Sequence, residues 1–262
     1  MSDRRHLDRL RRRIRAIEGG AREDGAVLPL PPALSAVAGA LPWGGLPLAH
    51  LHQVVGDPTD PAEAATAPAA ALGFTALLAA RLAASKGAAV LWCVRRGSVD
   101  DTLYAPGLAR LGLPPDRLMI VRAADDAEVL WAMEEGLRCP ALAAVVGQAR
   151  DADLTAGRRL QLAAEAGGVT GFLLAAGGRA PGGKGAGTTS VAATTRWRVV
   201  PAASAPVGWP GIGPARWSVT LERCRGGLPA HWTLEWNDET GDLGMAAPLR
   251  DRSLDAPERR RA

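Results

Sequence analysis

The feature that most constrains this chain is a regular alternation of short apolar runs with helical stretches between residues 48 and 174. Strand-like runs cover 48–55, 88–94, 117–122, 141–146 and 169–174. Helical patterns cover 70–85, 101–112 and 155–166, and a further helix carries Val129, Leu130, Met133 and Leu137. Apolar strands that alternate with helices of this length predict an α/β fold with a mostly parallel sheet, flanked by helices on both faces.

The pattern changes after residue 174. A glycine-rich loop at 177–190 is followed by three strand-like runs, 191–200, 215–224 and 231–236, with no helical stretch between them. Consecutive strands joined by short turns favour antiparallel pairing, so we expect an antiparallel C-terminal extension of the same sheet. The tryptophans in or beside these runs are interpreted as packing residues, with base-stacking platforms as the alternative. They are Trp197, Trp217, Trp232 and Trp236.

The termini have a different composition from this central region. Residues 1–25 predict a basic N-terminal amphipathic helix, whose apolar stripe must dock on the main domain or on a partner. The stripe, which gives the candidate partner-binding residues, consists of Leu7, Leu10, Ile14 and Ile17. Glycine and proline then predict a linker over 26–40, ahead of the α/β domain at 41–240. A polar, flexible tail is expected over 241–262.

Composition excludes several classes of protein. Three cysteines without metal-binding spacing do not form a disulfide framework, and no apolar run approaches the roughly 20 residues of a membrane span. The N-terminus lacks the apolar core of a signal peptide. We therefore expect a cytoplasmic protein with no membrane contact. The formal net charge of +4 permits contact with nucleic acid but does not require it.

The loop after the first long strand is where a nucleotide-binding protein would hold its phosphates. A P-loop needs the pattern GxxxxGK[ST], and this loop has only the opening glycine. The degenerate P-loop region contains Gly56 and the carboxylates Asp57, Asp60 and Glu63. Like charge at this position disfavours a triphosphate, so the sequence does not support an ATP site, and no cofactor is expected.

Catalytic groups are also absent from the other strand ends. Val145-Val146 runs into Gly147 where a Walker-B aspartate would hold magnesium, and Arg95-Arg96 follows the 88–94 strand where a carboxylate would activate water. Dispersed histidines form no metal or nucleophile set. We therefore predict a protein that is not an enzyme.

The glycine-rich loop carries the candidate DNA-binding residues, Arg179 and Lys184. A glycine-rich loop with two cations beside a sheet could wrap a single-stranded nucleic-acid backbone. A surface loop without function is the alternative.

Several segments together resemble the ImuA family of RecA-like proteins over residues 40–237. Two of them, 103–113 (LYAPGLARLGL) and 130–138 (LWAMEEGLR), are the most specific. The others are 44–47 (GGLP), 143–147 (AAVVG), 154–163, 195–199 (TRWRV), 224–227 (CRGG) and 232–236 (WTLEW).

The resemblance implies a RecA-like core and a part in DNA-damage-induced mutagenesis within the SOS response. Expected partners are an ImuB-like relative of Y-family polymerases and an error-prone DnaE-type polymerase subunit, which together support translesion synthesis. RecA, single-stranded DNA and a second copy of the chain are further candidate partners. In RecA relatives the position of the 177–190 loop corresponds to a DNA-contacting loop.

Two other functions remain as alternatives at this point. One is an active RecA-type, DNA-dependent ATPase with a divergent nucleotide loop, and the missing GK[ST] argues against it. The other is an inhibitor of RecA filaments or of cell division.

Overall fold

The structure is a computed structural model that describes residues 26–56, 63, 65–97, 103–150, 152–175, 192–206, 211 and 213–247. The helices are α1 (Ser35–Ala40), α2 (Ala67–Lys86), α3 (Ala105–Arg110), α4 (Asp126–Leu137) and α5 (Leu154–Gly167). The first strands are β1 (Val27–Leu28), β2 (Leu46–Pro47), β3 (Leu51–Val55), β4 (Ala89–Arg95), β5 (Leu118–Ala123) and β6 (Leu142–Gln148). The later strands are β7 (Thr170–Ala175), β8 (Thr195–Ala202), β9 (Arg216–Cys224), β10 (Ala230–Asn237) and β11 (Asp242–Met245).

Nine of these strands form one sheet in the order β11-β10-β9-β8-β3-β7-β6-β4-β5. The six strands from β8 to β5 in that order run parallel to one another, whereas β8, β9, β10 and β11 pair antiparallel. The predicted α/β class, with a mostly parallel sheet and an antiparallel C-terminal extension, is confirmed. Every residue of β6 and β7 is buried, as expected for parallel strands covered on both faces.

Helix α2 is the central helix of the fold. Pro68 stands in its first turn, and Gly87 ends it in the left-handed conformation with φ 66°. The helix is apolar on nearly all sides, and by length and composition it could also cross a membrane. Most of it is buried here, because the sheet covers one side and residues of α1 and α3, such as Val37 and Leu108, belong to the same core.

The segment predicted to be a linker, 26–40, is ordered instead. It contains β1, a 3-10 turn over Pro32–Leu34 and α1, and it buries Leu28, Leu34 and Val37 against α2 and the antiparallel strands. Prolines suggested a loop, but proline is well tolerated at the first positions of a helical turn. The apolar residues that the segment buries were the contrary signal.

The predicted tail, 241–262, begins too early. Strand β11 pairs with β10, and Leu243 is buried on the sheet. The hairpin forms because the Asn237 side-chain oxygen accepts hydrogen bonds from the backbone N–H groups of Glu239 and Thr240, and Gly241 adopts φ 63°. Residues 248–262 lie outside the described residues.

The two faces of the sheet are covered differently. On one face, α2 and the N-terminal segment pack over side chains from both the parallel and the antiparallel strands. On the other face, α4 and α5 contribute Met133 and Leu160 to a core with Val145 and Leu173. Among the described residues, that second core includes no side chain from β8 to β11. The outer face of the antiparallel strands is therefore left uncovered by the described helices.

A buried hydrogen-bond chain joins the parallel and antiparallel halves at the β3–β8 pair. The His52 ring accepts from the Thr195 hydroxyl at Nδ1, 2.7 Å away, and its Nε2 donates to the Pro47 carbonyl at 2.9 Å. The Trp197 indole donates to the same hydroxyl oxygen at 2.7 Å. Burial lowers the pKa of His52 to about 3, so the ring is neutral.

Candidate functional site

Parallel α/β sheets bind their ligands beyond the carboxyl ends of the strands. In this chain β3, β6, β4 and β7 end at the same edge, at Val55, Gln148, Arg95 and Ala175. A nucleotide site in this fold would lie at this carboxyl edge.

Gly56, the opening glycine of the degenerate P-loop, is packed against the start of α2. A side-chain Cβ at this position would lie 2.5 Å from the Ala67 carbonyl oxygen and 2.9 Å from the Pro68 Cα. A P-loop cradles a phosphate with backbone N–H groups at the helix N-terminus. In this chain the junction between β3 and α2 is tightly packed at Gly56, and Pro68 in the first turn of α2 offers no N–H.

The three acidic residues of the loop are only partly described. Asp57 and Asp60 lie outside the described residues, whereas Glu63 is half-buried in the turn before α2. Its carbonyl accepts hydrogen bonds from the backbone N–H and the hydroxyl of Thr66, at 3.0 and 3.3 Å. Its Oε2 is buried without a hydrogen-bond partner among the described residues. A carboxylate so placed disfavours an anion beside the helix.

Gly147 lies at the Walker-B position, near the end of β6. A Cβ built on it would overlap the Sδ and Cγ atoms of Met133, which is fully buried on α4. There is no space for an aspartate unless Met133 moves. Met133 of α4 therefore occupies the side-chain space at Gly147, which the sequence alone could not show.

Gln148, the next residue, is a feature that the sequence analysis did not single out. It is 6% exposed, and neither its amide nitrogen nor its amide oxygen has a hydrogen-bond partner among the described residues. A buried amide without partners costs about 1–3 kcal/mol. The signal was available, because Gln148 ends an otherwise apolar strand.

Arg95, the last residue of β4, and Arg96 make contacts that stabilise the fold. Arg95 lies 4.0 Å from the Asp126 carboxylate, whose other oxygen accepts a hydrogen bond from the backbone N–H of Arg150. The backbone N–H of Arg96 donates to the Ala123 carbonyl at 2.7 Å. These contacts connect the ends of neighbouring strands at the position where an ATPase would have a catalytic carboxylate.

The described residues contain no group of His, Cys, Asp and Glu side chains that could hold a metal ion. His50 Nδ1 is hydrogen-bonded to the Leu48 carbonyl, and both ring nitrogens of His52 are engaged. Cys93 is buried in β4, and burial raises the pKa of its thiol to about 12, so it behaves as a core residue.

A groove of about 680 Å³ crosses the outer side of α2 near its first turns. Tyr104, 72% exposed, forms one wall, and Gly107 lets its ring lie against α3, since a Cβ there would meet Cδ1 at 2.9 Å. The other wall carries Asp238, whose pKa is lowered by hydrogen bonds from the Trp236 indole and from Arg110. Part of the YAPGL segment lines this groove, and its described lining residues include no nucleophile paired with a base.

The remaining sequence-predicted residues have two outcomes. The four tryptophans named above are buried, and Trp197 lies 5.9 Å from Phe74 and 6.4 Å from Trp232 between ring centroids. The packing interpretation is confirmed, and the base-platform alternative is wrong. The DNA-binding candidates Arg179 and Lys184 lie outside the described residues, as do all four residues of the N-terminal stripe, Leu7, Leu10, Ile14 and Ile17.

Comparison with known proteins gives one clear relationship. No protein-family model matches the chain. It is 46% identical over 203 residues to "Protein ImuA" from two strains of Caulobacter vibrioides, covering 76% of this chain and 80% of the relative. The crystal structure of SulA from Pseudomonas aeruginosa matches 48% of this chain and 96% of its own, at 20% identity and a TM-score of 0.37, too low to establish a shared fold. The identity and coverage of the Caulobacter relatives show that this chain belongs to the ImuA family.

Proposed function

We propose that this chain is a non-catalytic, RecA-like accessory subunit that supports DNA-damage-induced mutagenesis and error-prone translesion synthesis in the cytoplasm. The observation that carries the proposal is the 46% identity to the Caulobacter ImuA protein over most of both chains. That relative is named ImuA, and the proposal gives this chain the part in DNA-damage-induced mutagenesis, with an ImuB-like partner, that the family resemblance implies.

The carboxyl edge of the sheet supports a role without catalysis. Backbone atoms of Ala67 and Pro68 pack closely against Gly56, and Met133 fills the space beside Gly147. The strand order, with β3 between β7 and β8, supports a RecA-like core. An active ATPase needs a phosphate site, and the missing GK[ST] pattern and the carboxylate of Glu63 before α2 argue against one.

The proposed partners are an ImuB-like relative of Y-family polymerases and a DnaE-type polymerase subunit. RecA and a second copy of the chain are further candidates. We assign partner contact to the helix that the sequence predicts over residues 1–25, because an apolar stripe needs an apolar surface to cover it. The stripe consists of Leu7, Leu10, Ile14 and Ile17. DNA contact through Arg179 and Lys184 remains part of the proposal.

The experiment that tests the proposed function is affinity purification of the tagged full chain from its host, with and without DNA damage, followed by mass spectrometry. We expect an ImuB-like polymerase relative and a DnaE-type subunit to be recovered. Recovery of RecA or a division protein in their place would favour an inhibitor and overturn the proposal.

The N-terminal stripe is tested by Leu10→Asp in the same purification. We expect recovery of the polymerase relative to be lost while the melting temperature of the purified chain stays unchanged. Arg12→Ala, on the opposite side of the predicted helix, removes one unit of positive charge and serves as the matched control. Loss of both binding and thermal stability in Leu10→Asp would assign the helix to the core instead.

A further inference from the structure

The uncovered face of the antiparallel strands carries polar side chains. Arg198 of β8 stands opposite Thr220 of β9, which stands opposite His231 of β10. Ser218, the next residue of β9 on this face, is hydrogen-bonded to the His231 ring at 2.9 Å. Charged groups concentrate at the end of this face where β8 begins and β9 ends.

A β-bulge brings the charged residues together. Arg196 pairs with Arg223, but Trp197 already pairs with Leu221, so Glu222 is an additional residue on β9. The Glu222 carboxylate accepts hydrogen bonds from the Nε atoms of Arg196 and Arg198, at 2.8 and 3.0 Å. One carboxylate is therefore shared by two guanidinium groups.

Two more arginines extend this positive charge. Arg223 donates to the Ala193 carbonyl at 3.0 Å, and with Arg225 it lines a cavity of about 350 Å³. The pKa of Arg223 is lowered by burial and then by the positive charges of Arg196 and Arg225. The nearby α5 adds the carboxylate of Glu165, which accepts from the Gln161 amide. Among the described residues, the Glu222 carboxylate bonds to two of the four guanidinium groups, and Glu165 lies on the neighbouring helix, so arginines outnumber these carboxylates.

The composition of this face favours a polyanion over a protein partner. Protein interfaces have an apolar centre, usually with large side chains. The exposed large hydrophobic side chains of the described residues are Tyr104, Met119, Ile120, Trp131, Leu154, Leu162, Leu228 and Met245. None of them belongs to β8, β9 or β10. Guanidinium and hydroxyl groups on a flat surface suit phosphate oxygens.

We infer that the arginine face, defined as Arg196, Arg198, Arg223 and Arg225, binds the sugar–phosphate backbone of single-stranded DNA. Among the described residues no helix or hairpin projects from this face, so they offer no element that would enter a groove of a duplex. A flexible single strand can follow it and place several phosphates on it. The inference rests on the proposed role only for the choice of DNA as the nucleic acid, because the charge and shape belong to the chain itself.

The test is fluorescence anisotropy of a labelled oligothymidine with the purified full chain, over a series of salt concentrations. We compare Arg223→Gln/Arg225→Gln with Arg110→Gln/Arg122→Gln, a double variant with the same change in net charge on other surfaces. Each lost phosphate contact lowers the salt slope by about 0.7. The face variant should therefore lose about 1.4 in slope, which corresponds to about 25-fold in affinity at about 0.1 M salt.

Several outcomes overturn the inference. Equal losses in the two double variants would show that net charge alone attracts DNA, and tighter binding of a duplex of the same length would contradict the single-strand assignment. Binding of poly-glutamate in preference to the oligothymidine would assign the face to an acidic protein segment. A fold defect is excluded by Arg223→Lys/Arg225→Lys, which should retain most of the affinity.

The result is separate from that of the proposed function. The assay needs no partner, so it can succeed even if the affinity purification finds no polymerase subunit. Arg179→Gln/Lys184→Gln, measured in parallel, tests the proposed DNA loop. A loss confined to that loop variant would support the proposed DNA contact and reject the arginine face.

Discussion

The parallel half of the sheet is covered on both faces, whereas the helices among the described residues cover one face of the antiparallel half. At the carboxyl edge of the parallel half, backbone atoms of Ala67 and Pro68 lie close to Gly56, and the side chain of Met133 occupies the space beside Gly147. On the other face of the antiparallel half, Arg196 and Arg198 share the Glu222 carboxylate, and Arg223 and Arg225 line a cavity beside them. The difference indicates that side chains and backbone can pack tightly at the carboxyl edge of an α/β sheet while another surface of the same sheet remains available for binding.

The largest effect on stability is expected from adding a side chain at Gly56, where β3 packs against the start of α2. Gly56→Ala forces a methyl group against backbone atoms of Ala67 and Pro68, and overpacking against backbone should cost about 3 kcal/mol in the free energy of unfolding. Urea denaturation followed by circular dichroism measures it.

Gly39→Ala is the matched control, because Gly39 is exposed in α1 and a Cβ there meets nothing within 4 Å. It should raise stability by up to about 1 kcal/mol through helix propensity. Similar stability changes in the two variants would show that the β3–α2 junction is not tightly packed.

The next largest effect concerns the hydrogen-bond chain between the two halves. The pKa of His52 is lowered to about 3, while its unfolded value is 6.5. Between these values the unfolded state binds the extra proton, so stability falls as pH falls through this window. From pH 6.5 to about pH 4.5 the loss should be about 2 kcal/mol more in the wild type than in His52→Gln.

Urea midpoints measured across this pH range give that difference directly. The other titrating groups are common to both proteins and cancel in the comparison. Parallel pH profiles for wild type and His52→Gln would mean that the His52 ring is accessible to protons, and that the two halves are not joined by a dry contact.

The smallest effect on stability is expected from two buried glutamines, Gln53 and Gln148, which differ in their hydrogen bonds. Gln148 has no partner among the described residues, so Gln148→Leu should stabilise the chain by about 1 kcal/mol. Gln53 accepts a hydrogen bond from Arg196, and Gln53→Leu should destabilise by about 1–2 kcal/mol. Thermal melts of the two variants give the signs. Destabilisation by Gln148→Leu would show that the amide is engaged and that the carboxyl edge retains a polar role.

Much of the fold could be predicted from the sequence, because buried parallel strands leave a strong apolar signal. The strand at 141–146 and the helix at 155–166 match β6 and α5 within two residues at each end. The ordered segment 26–40 and strand β11 were not predicted. Proline at 29–32 and the polar turn at 237–241 outweighed the few apolar residues, such as Val37 and Leu243, that hold these segments in place.

The candidate site was harder to predict, because its main property is the filling of space. The sequence shows a glycine at 147, but only the packing of α4 shows that Met133 occupies the room for an aspartate. The β-bulge that gathers Arg196 and Arg223 depends on strand register, which no local pattern reports. The sequence shows which nucleotide-binding residues are missing. It does not show the packing contacts that stand at those positions in the structure.

The central claim is that this ImuA-family chain works by binding and not by nucleotide turnover. Calorimetric titration of the purified full chain with Mg²⁺-ATP, with and without single-stranded DNA, tests it most directly. We predict no saturable binding up to about 1 mM nucleotide, a binding free energy weaker than about −4 kcal/mol. Micromolar binding, with phosphate release that DNA stimulates, would contradict the account.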